Sequence, residues 1–276
     1  MRLLASVRSV NEVEAAVSGG ADIIDAKEPS SGSLGAVAPA IFARIQARVP
    51  VDLELSAALG DAASSLEVRN SIAGLRVVPR SAPVYLKLGF SGVRSPERLR
   101  ALLEVACAAA AETGCPPPRI IAVAYADHEN AGCADPGTVW DAAAAAGVAG
   151  ILIDTWSKGS RHLFDWIEPE RLRDLVDQAR RAGLLTALAG GLGPEQLPGV
   201  SRVDPDIVGF RGALCPKGRQ GKVSQLRVKQ LKRLVVASGS IRRAELPSEA
   251  GPGRETPEAA ANLCRASGAN PLRIND

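Results

Sequence analysis

Aromatic residues are scarce in this 276-residue chain, at 3% of the sequence. Proteins that bind single-stranded nucleic acid stack the bases on aromatic side chains, so this scarcity argues against such a partner. The formal net charge is only +3, which is too small to indicate a polyanion partner. Basic residues near the predicted last helix, such as Arg227 and Lys232, are better explained as a solvated helix face. The sequence therefore predicts no nucleic-acid partner.

Histidines and closely spaced cysteines are also scarce. The chain has two histidines, His128 and His162, and the segment 127–129 (Asp-His-Glu) supplies a single imidazole in one loop. The five cysteines show no C-x-x-C spacing, which indicates reduced thiols of a cytoplasmic protein and not a zinc site. We therefore predict that the protein contains no metal site.

Long apolar runs are absent as well. No uninterrupted apolar stretch reaches the roughly 18 residues that a membrane helix needs, and the amino-terminal residues lack the apolar segment of a signal peptide. Residues 142–146 are all alanine, but they span only about one and a half helical turns. The sequence predicts a cytoplasmic protein without membrane contact.

What the sequence does contain is a repeated alternation of short apolar runs with helical patterns, separated by turn residues. This alternation is typical of βα units around a parallel sheet. Roughly eight such units occupy residues 1–237, which is the number in a TIM barrel, so we predict an α/β protein with one TIM-barrel domain. Residues 238–276 are rich in proline, glycine, serine and charge, and we predict a poorly ordered tail there.

Charged residues lie at the ends of three predicted strands. Asp25 and Lys27 share one face of the second strand because strand side chains alternate. Lys87 lies near the end of the fourth strand, and Asp154 ends the sixth with Lys158 just beyond it. In TIM barrels, active sites lie at the carboxyl ends of the strands, and alternate strands contribute to one layer of side chains. These five residues are therefore our predicted catalytic residues, although each lysine taken alone is better explained by a surface ion pair.

Lysines in such a pocket can react with carbonyl groups. Only the unprotonated amine attacks a carbonyl, and with an unperturbed pKa near 10.4 about one lysine in 2,500 is neutral at pH 7. Burial and neighbouring ammonium groups lower the pKa of a lysine, whereas carboxylates such as Asp25 and Asp154 oppose that change. The sequence leaves open which lysine has the lowered pKa.

Glycines follow the seventh and eighth predicted strands, where TIM barrels often bind phosphate. Gly190 and Gly191 follow the seventh strand, and Arg211 and Gly212 follow the eighth. Glycine lets backbone N–H groups approach an anion closely, and arginine offers a bidentate fork. We predict that these four residues bind phosphate, although glycine pairs are also common in ordinary turns.

Six segments, in order along residues 1–237, resemble the (5-formylfuran-3-yl)methyl phosphate synthase family. They are Asp-Ile-Ile-Asp-Ala-Lys-Glu-Pro with Gly-Ser-Leu-Gly (22–35), Lys-Leu-Gly (87–89), Ala-Tyr-Ala-Asp (124–127), Leu-Ile-Asp-Thr…Lys…Leu-Phe-Asp (152–165), Leu-Ala-Gly (188–190) and Asp-Ile-Val-Gly-Phe-Arg-Gly-Ala (206–213). The resemblance implies a cofactor-free TIM barrel that condenses two molecules of glyceraldehyde 3-phosphate, with loss of phosphate and water. That reaction begins the furan ring of methanofuran-type C1 carriers.

The resemblance also implies roles for individual residues. Lys27 matches the Schiff-base lysine of the family and Lys87 its proton acceptor, while Asp25, Asp154 and Lys158 match other charged positions of the same pocket. Two other interpretations remain open, an ordinary Schiff-base aldolase acting on a sugar phosphate and a non-catalytic barrel that binds a phosphorylated ligand. The sequence does not give the number of subunits, so a homo-oligomer is also left open.

Overall fold

Eight parallel strands form a closed barrel in which each strand pairs with its neighbours in the sequence. The strands are β1 (Arg2–Val7), β2 (Ile23–Ala26), β3 (Glu54–Asp61), β4 (Val84–Gly89), β5 (Arg119–Tyr125), β6 (Gly150–Asp154), β7 (Leu185–Leu188) and β8 (Ile207–Phe210). β8 closes the barrel against β1, with Val208 opposite Leu3. This computed structural model describes residues 1–245, with side chains for residues 1–238. The predicted TIM barrel is confirmed.

Helices connect the strands and pack around the outside of the barrel. In residues 1–245 the α-helices are α1 (Val10–Ser18), α2 (Pro39–Arg48), α3 (Ser65–Gly74), α4 (Pro96–Ala111), α5 (His128–Ala131), α6 (Pro136–Ala146), α7 (Pro169–Arg181), α8 (Leu197–Val203) and α9 (Gln225–Glu245). Several begin as the sequence predicts. Ser95 caps α4 and Asp135 caps α6 by accepting backbone N–H groups of the first turn, and each cap precedes a proline.

The structure differs from the predicted elements in two places. The predicted elements include no helix between β7 and β8. α8 forms there because Pro198 lies in the first helical turn, where its missing N–H has no helical partner to lose. α9 extends to Glu245, so this helix crosses the predicted boundary between residues 237 and 238. The rest of the predicted tail, residues 246–276, lies outside the described residues.

The apolar core has two layers, one on each side of the barrel wall. The larger layer lies between strands and helices and includes Ile24 and Phe42. The smaller layer lies inside the barrel and includes Tyr85 and Leu152. Because strand side chains alternate, the neighbour of Ile24 in β2, Asp25, faces the barrel interior. The alternation therefore directs charged side chains into the barrel.

Three further observations concern the remaining sequence predictions. Among the helices of residues 1–245, none combines the length and apolar character needed to cross a bilayer. In the same residues no group of three histidines, cysteines, aspartates or glutamates could hold a metal ion. Cys107, Cys133 and Cys215 are free thiols, whereas Cys115 is disulfide-bonded. The expectation of reduced thiols is therefore wrong for Cys115, because sequence spacing does not reveal which cysteines meet in space.

Candidate active site

A cavity of about 1190 Å³ opens at the carboxyl ends of the strands. Its wall includes the inner faces of the strands and the loops that follow β6, β7 and β8. Basic residues outnumber acidic residues along this wall. The structure brings all five predicted catalytic residues into this single cavity: Asp25, Lys27, Lys87, Asp154 and Lys158.

Lys87 and Asp25 form the most buried ion pair of the cavity. Lys87 Nζ lies 2.7 Å from Asp25 Oδ1, and the two side chains are 4% and 0% exposed. Ser6, which stands opposite Asp25 in the β1–β2 pairing, donates its hydroxyl to Asp25 Oδ2 at 2.8 Å. Burial raises the pKa of Asp25, but the charges of Lys87 and Lys27 and the hydrogen bonds outweigh burial and hold that pKa below its ordinary value. Asp25 is therefore a carboxylate at neutral pH and stabilises positive charge on Lys87.

Asp154 contacts two lysines, one at each carboxylate oxygen. Lys27 Nζ lies 3.5 Å from Oδ2, and Lys158 Nζ lies 3.0 Å from Oδ1. The backbone N–H of Thr155 also donates to Oδ1, at 2.8 Å. Burial raises the pKa of Asp154, but Lys158, Lys27 and the hydrogen bonds lower it more, so the pKa of this carboxyl is well below its usual range. Asp154 therefore contacts both the lysine that follows β2 and the lysine in the loop after β6.

Lys27 lies in the cavity with its amine largely buried. Burial lowers the pKa of Lys27 to about 8, with Asp154 opposing the shift and the charges of Lys87 and Lys158 adding to it. A pKa near 8 leaves about 9% of the amine neutral at pH 7, compared with about one in 2,500 for an ordinary lysine. The side chain is 10% exposed and lines the cavity, so a substrate carbonyl can reach it. Lys27 is therefore a candidate nucleophile of this cavity.

The loop of residues 28–35 is held against the barrel by contacts of Ser33 and Leu34. Ser33 donates its hydroxyl to Asp154 Oδ2 at 3.3 Å, so this loop reaches from β2 to β6. Leu34 packs into the apolar cluster inside the barrel. A Cβ at Gly89 would lie 2.6 Å from Leu34 Cδ1, so only glycine leaves room for that side chain. The Gly-Ser-Leu-Gly segment thus contacts Asp154, the carboxylate that Lys27 and Lys158 share.

Asp127 fixes the loop that carries Lys158. This buried carboxylate accepts the backbone N–H of Trp156 at 2.6 Å and that of Ser157 at 2.8 Å, one at each oxygen. Both residues precede Lys158 in the loop after β6. Asp127 therefore acts on the site through backbone hydrogen bonds.

The predicted phosphate-binding glycines line the cavity, and two of them are also required by the backbone. Gly190 and Gly191 have φ angles of 103° and 65°, which side chains rarely adopt. A Cβ at Gly190 would also lie 3.0 Å from the backbone nitrogen of Thr155. Within residues 1–238 the N–H groups of Gly191 and Gly212 meet no protein acceptor, so both remain available to an anion.

Arg211 does not offer the predicted fork, because the protein itself uses every N–H of its guanidinium. Nε donates to the carbonyl of Arg219 at 3.0 Å, and Nη1 donates to the carbonyl of Ser6 at 3.0 Å and to Glu12 at 2.6 Å. Nη2 donates to Glu12 at 3.1 Å and to the carbonyl of Gly221 at 2.7 Å. The predicted role of Arg211 as a phosphate ligand is therefore wrong. This residue instead holds the loop after β8 against β1 and α1.

Sequence reasoning missed Ser33, Glu12 and Arg219 as parts of the site. Ser33 stands in a segment that carried the family resemblance, which was an available signal. Glu12 lies in the first turn of α1, and this position explains why its carboxylate accepts the N–H of Arg8 at 2.8 Å. No local pattern predicts its second contact, with Arg211. Arg219 lies in an irregular loop with no pattern of its own.

A closed eight-stranded parallel barrel with lysines and carboxylates at the carboxyl ends of its strands defines an enzyme of the TIM-barrel class. The sequence model of 4-HFC-P synthase matches residues 3–232. The (5-formylfuran-3-yl)methyl phosphate synthase of Methanopyrus kandleri is 37% identical over 222 residues, which cover 80% of this chain and 92% of that protein. The protein of the same name from Methanocaldococcus jannaschii is 36% identical over 238 residues, which cover 85% of this chain and 99% of that protein. The chain belongs to the 4-HFC-P synthase family, which confirms the resemblance seen in the motifs.

A solved structure shows the same architecture at much lower identity. Phosphoribosyl anthranilate isomerase from Thermus thermophilus has a TM-score of 0.56 at 15% identity, and the alignment covers 86% of this chain and 99% of that one. At this identity the likeness extends to the fold alone.

Proposed function

We propose that this protein is a (5-formylfuran-3-yl)methyl phosphate synthase that condenses two molecules of glyceraldehyde 3-phosphate through a Schiff base on Lys27. The observation that carries the proposal is the buried amine of Lys27, whose pKa is lowered to about 8, in a chain of this family. The cavity of about 1190 Å³ supports it too, because small-molecule sites measure roughly 300–1,000 Å³ and two trioses are small. By atom balance, the two substrates give the furan product, one phosphate and two waters.

The first step forms the Schiff base. The neutral amine of Lys27 attacks the carbonyl carbon of one triose phosphate, water leaves, and a C=N⁺ bond replaces the C=O bond. Asp154, 3.5 Å from Nζ, stabilises the positive charge of this iminium. The iminium withdraws electrons from the adjacent carbon and acidifies its C–H bond.

The second step forms the carbon–carbon bond. Lys87, in its neutral form, accepts the proton from the acidified carbon, and Asp25 at 2.7 Å stabilises the resulting ammonium. The electron pair left on carbon then adds to the aldehyde carbon of the second triose phosphate. Elimination of phosphate and loss of water follow, and hydrolysis of the C=N⁺ bond releases the furan aldehyde and restores the amine of Lys27. The aromaticity of the furan makes the whole sequence irreversible in practice.

This proposal carries several predictions that concern the setting of the reaction. The enzyme uses no cofactor, acts in the cytoplasm on a small phosphorylated substrate, and supplies a furan for a methanofuran-type C1 carrier. Nucleic acid and membranes have no part in this reaction.

The test is incubation of the purified protein with glyceraldehyde 3-phosphate alone. We expect a product with the mass of the furan phosphate and strong near-ultraviolet absorbance, and we expect borohydride added during turnover to tag the Lys27 peptide. Lys27→Arg keeps the charge but removes the nucleophile, so both signals should be lost. Lys222→Arg, at an exposed lysine outside the cavity wall, is the matched control. A product without furan absorbance would indicate an ordinary aldolase, and a tag on another lysine would refute the role of Lys27.

A further inference from the structure

The loop after β8 contains a second arginine, Arg219, whose surroundings are the opposite of those of Arg211. Arg219 is half-buried and lines the same cavity as Lys27 and Asp154. Its Nη2 donates to the carbonyl of Gly32, and its other N–H groups meet no acceptor within residues 1–238. A guanidinium that is partly removed from water and has unfilled donors is suited to an anionic ligand.

Arg219 also has no ion-pair partner among the carboxylates of residues 1–238. Burial lowers the pKa of Arg219, with Asp154 and Glu28 opposing the shift and Arg211 adding to it. Asp154 is already shared by two lysines, and Glu28 lies 3.6 Å from Arg8. In residues 1–238 no carboxylate lies within ion-pair distance of Arg219. An anion that entered the cavity would therefore meet an uncompensated positive charge there.

Arg211 and Glu12 hold the backbone on which Arg219 stands. Arg211 donates to the carbonyls of Arg219 and Gly221, and Glu12 accepts from both terminal nitrogens of Arg211. Glu12 is only 2% exposed, so this ion pair is anchored in the protein interior. The buried pair therefore ties the loop after β8 to α1. Charged groups that are buried and fully paired in this way are costly to disturb.

The backbone of Gly212 lies close to the backbone of Arg219. A Cβ built on Gly212 would lie 4.0 Å from the backbone nitrogen of Arg219, so the two residues are neighbours at the end of β8. Gly191, at the end of β7, lines the same cavity and has a free N–H group. Backbone N–H groups together with one guanidinium form the usual donor set for a phosphate.

We infer that Arg219, with the N–H groups of Gly191 and Gly212, binds a phosphate group of the substrate, and that Arg211 is a positioning residue that acts through Arg219. The identity of the substrate rests on the proposed function, whereas the presence of an anion site does not. The ligand class is a phosphate monoester of a small carbonyl compound whose reactive carbon reaches Lys27.

The test compares Arg219→Gln with Lys217→Gln, a matched variant at an exposed lysine of the same loop. Arg219→Gln should weaken inorganic phosphate binding, measured by calorimetry, and raise the KM for glyceraldehyde 3-phosphate, each by about ten- to a hundredfold, as expected for lost charge-assisted hydrogen bonds. Lys217→Gln should leave both values unchanged.

Borohydride trapping separates phosphate binding from a general loss of structure. Unphosphorylated glyceraldehyde has no phosphate for Arg219 to hold, so Arg219→Gln should slow its trapping on Lys27 much less than it slows the trapping of glyceraldehyde 3-phosphate. Arg211→Lys should weaken phosphate binding in the same direction and also lower thermal stability. The double variant should bind phosphate no more weakly than Arg219→Gln, because both changes act on one contact.

The outcomes distinguish this inference from the proposed function. If the wild type makes the furan product and Arg219→Gln keeps its KM and phosphate affinity, the inference is overturned and the function stands. If the wild type binds phosphate through Arg219 but makes no furan, the inference stands and the function is overturned. Loss of glyceraldehyde trapping in Arg219→Gln, with the fold intact, would also overturn the inference.

Discussion

Replacing Asp154 by asparagine should make Lys27 easier to deprotonate. Asp154 Oδ2 lies 3.5 Å from Lys27 Nζ, and its negative charge opposes the lowering of the Lys27 pKa by burial. Two unit charges at that distance interact by about 5 kcal/mol at an effective dielectric constant of 20. Rearrangement of solvent and of neighbouring lysines offsets part of that energy, and about half of it corresponds to about two pKa units. The pKa of Lys27 should therefore fall from about 8 towards about 6.

Trace acetylation measures this pKa without depending on the catalytic reaction. Acetic anhydride modifies only neutral amines, so the yield of acetylated Lys27 peptide between pH 5 and pH 10 follows the deprotonation of that lysine. At pH 7 the neutral fraction should rise from about 9% to about 90%, which is roughly a tenfold increase in labelling. Circular dichroism at each pH would establish that the variant is folded.

Replacing Lys158 by methionine should change the pKa of Lys27 in the opposite direction. The charge of Lys158 lowers the pKa of Lys27, so its removal should move the labelling midpoint of Lys27 above 8. The reasoning is refuted if Asp154→Asn leaves the midpoint in place, or if the two variants move it in the same direction. Either result would mean that neighbouring charges do not set the reactivity of Lys27.

Two other predictions concern stability and are measured by urea unfolding. Gly89→Ala should destabilise the protein by about 1–3 kcal/mol, because a Cβ there would lie 2.3 Å from Asp61 Oδ1. Gly209→Ala should cost less, since its nearest contact is 3.5 Å, and equal effects would contradict this account. Lys27→Met should stabilise the protein at pH 7 by up to about 3 kcal/mol, because a folded-state pKa of about 8 lies below the unfolded value of about 10.4. That penalty is complete below pH 8 and disappears as the pH rises to about 10.4, so a pH-independent difference between variant and wild type would contradict it.

The order of strands and helices could be predicted from the sequence because it depends on local patterns. Each strand is a short apolar run, and each long helix begins at a cap or a proline that the sequence displays. α8 could not be predicted, because Pro198 and Gly199 break helices in most positions and their compatibility here depends on where the first turn falls. The end of α9 was also missed, since composition changes before the helix ends.

The amines and carboxylates of the site could be predicted for a topological reason. In a closed parallel barrel every strand ends at the same mouth, so a charged residue at a strand end reaches the cavity without further information. The roles of Arg211 and Arg219 could not be predicted in this way. Which guanidinium faces the cavity depends on the contact of Arg211 with Glu12, a residue 199 positions earlier in the sequence. A contact of that range is set by packing and leaves no local pattern.

The carboxylates of this site have two opposing effects on its amines. They make the burial of Lys27 and Lys87 tolerable, yet a carboxylate favours the protonated and unreactive form of a neighbouring amine. The nearest lysine–carboxylate distances are 2.7 Å for Lys87, 3.0 Å for Lys158 and 3.5 Å for Lys27. Because Coulomb attraction falls with distance, the ion pair of Lys27 is the weakest of the three, and Lys27 also shares its carboxylate with Lys158. The proposed nucleophile is thus the lysine with the most distant carboxylate partner, and its place in the barrel follows from where β2 ends.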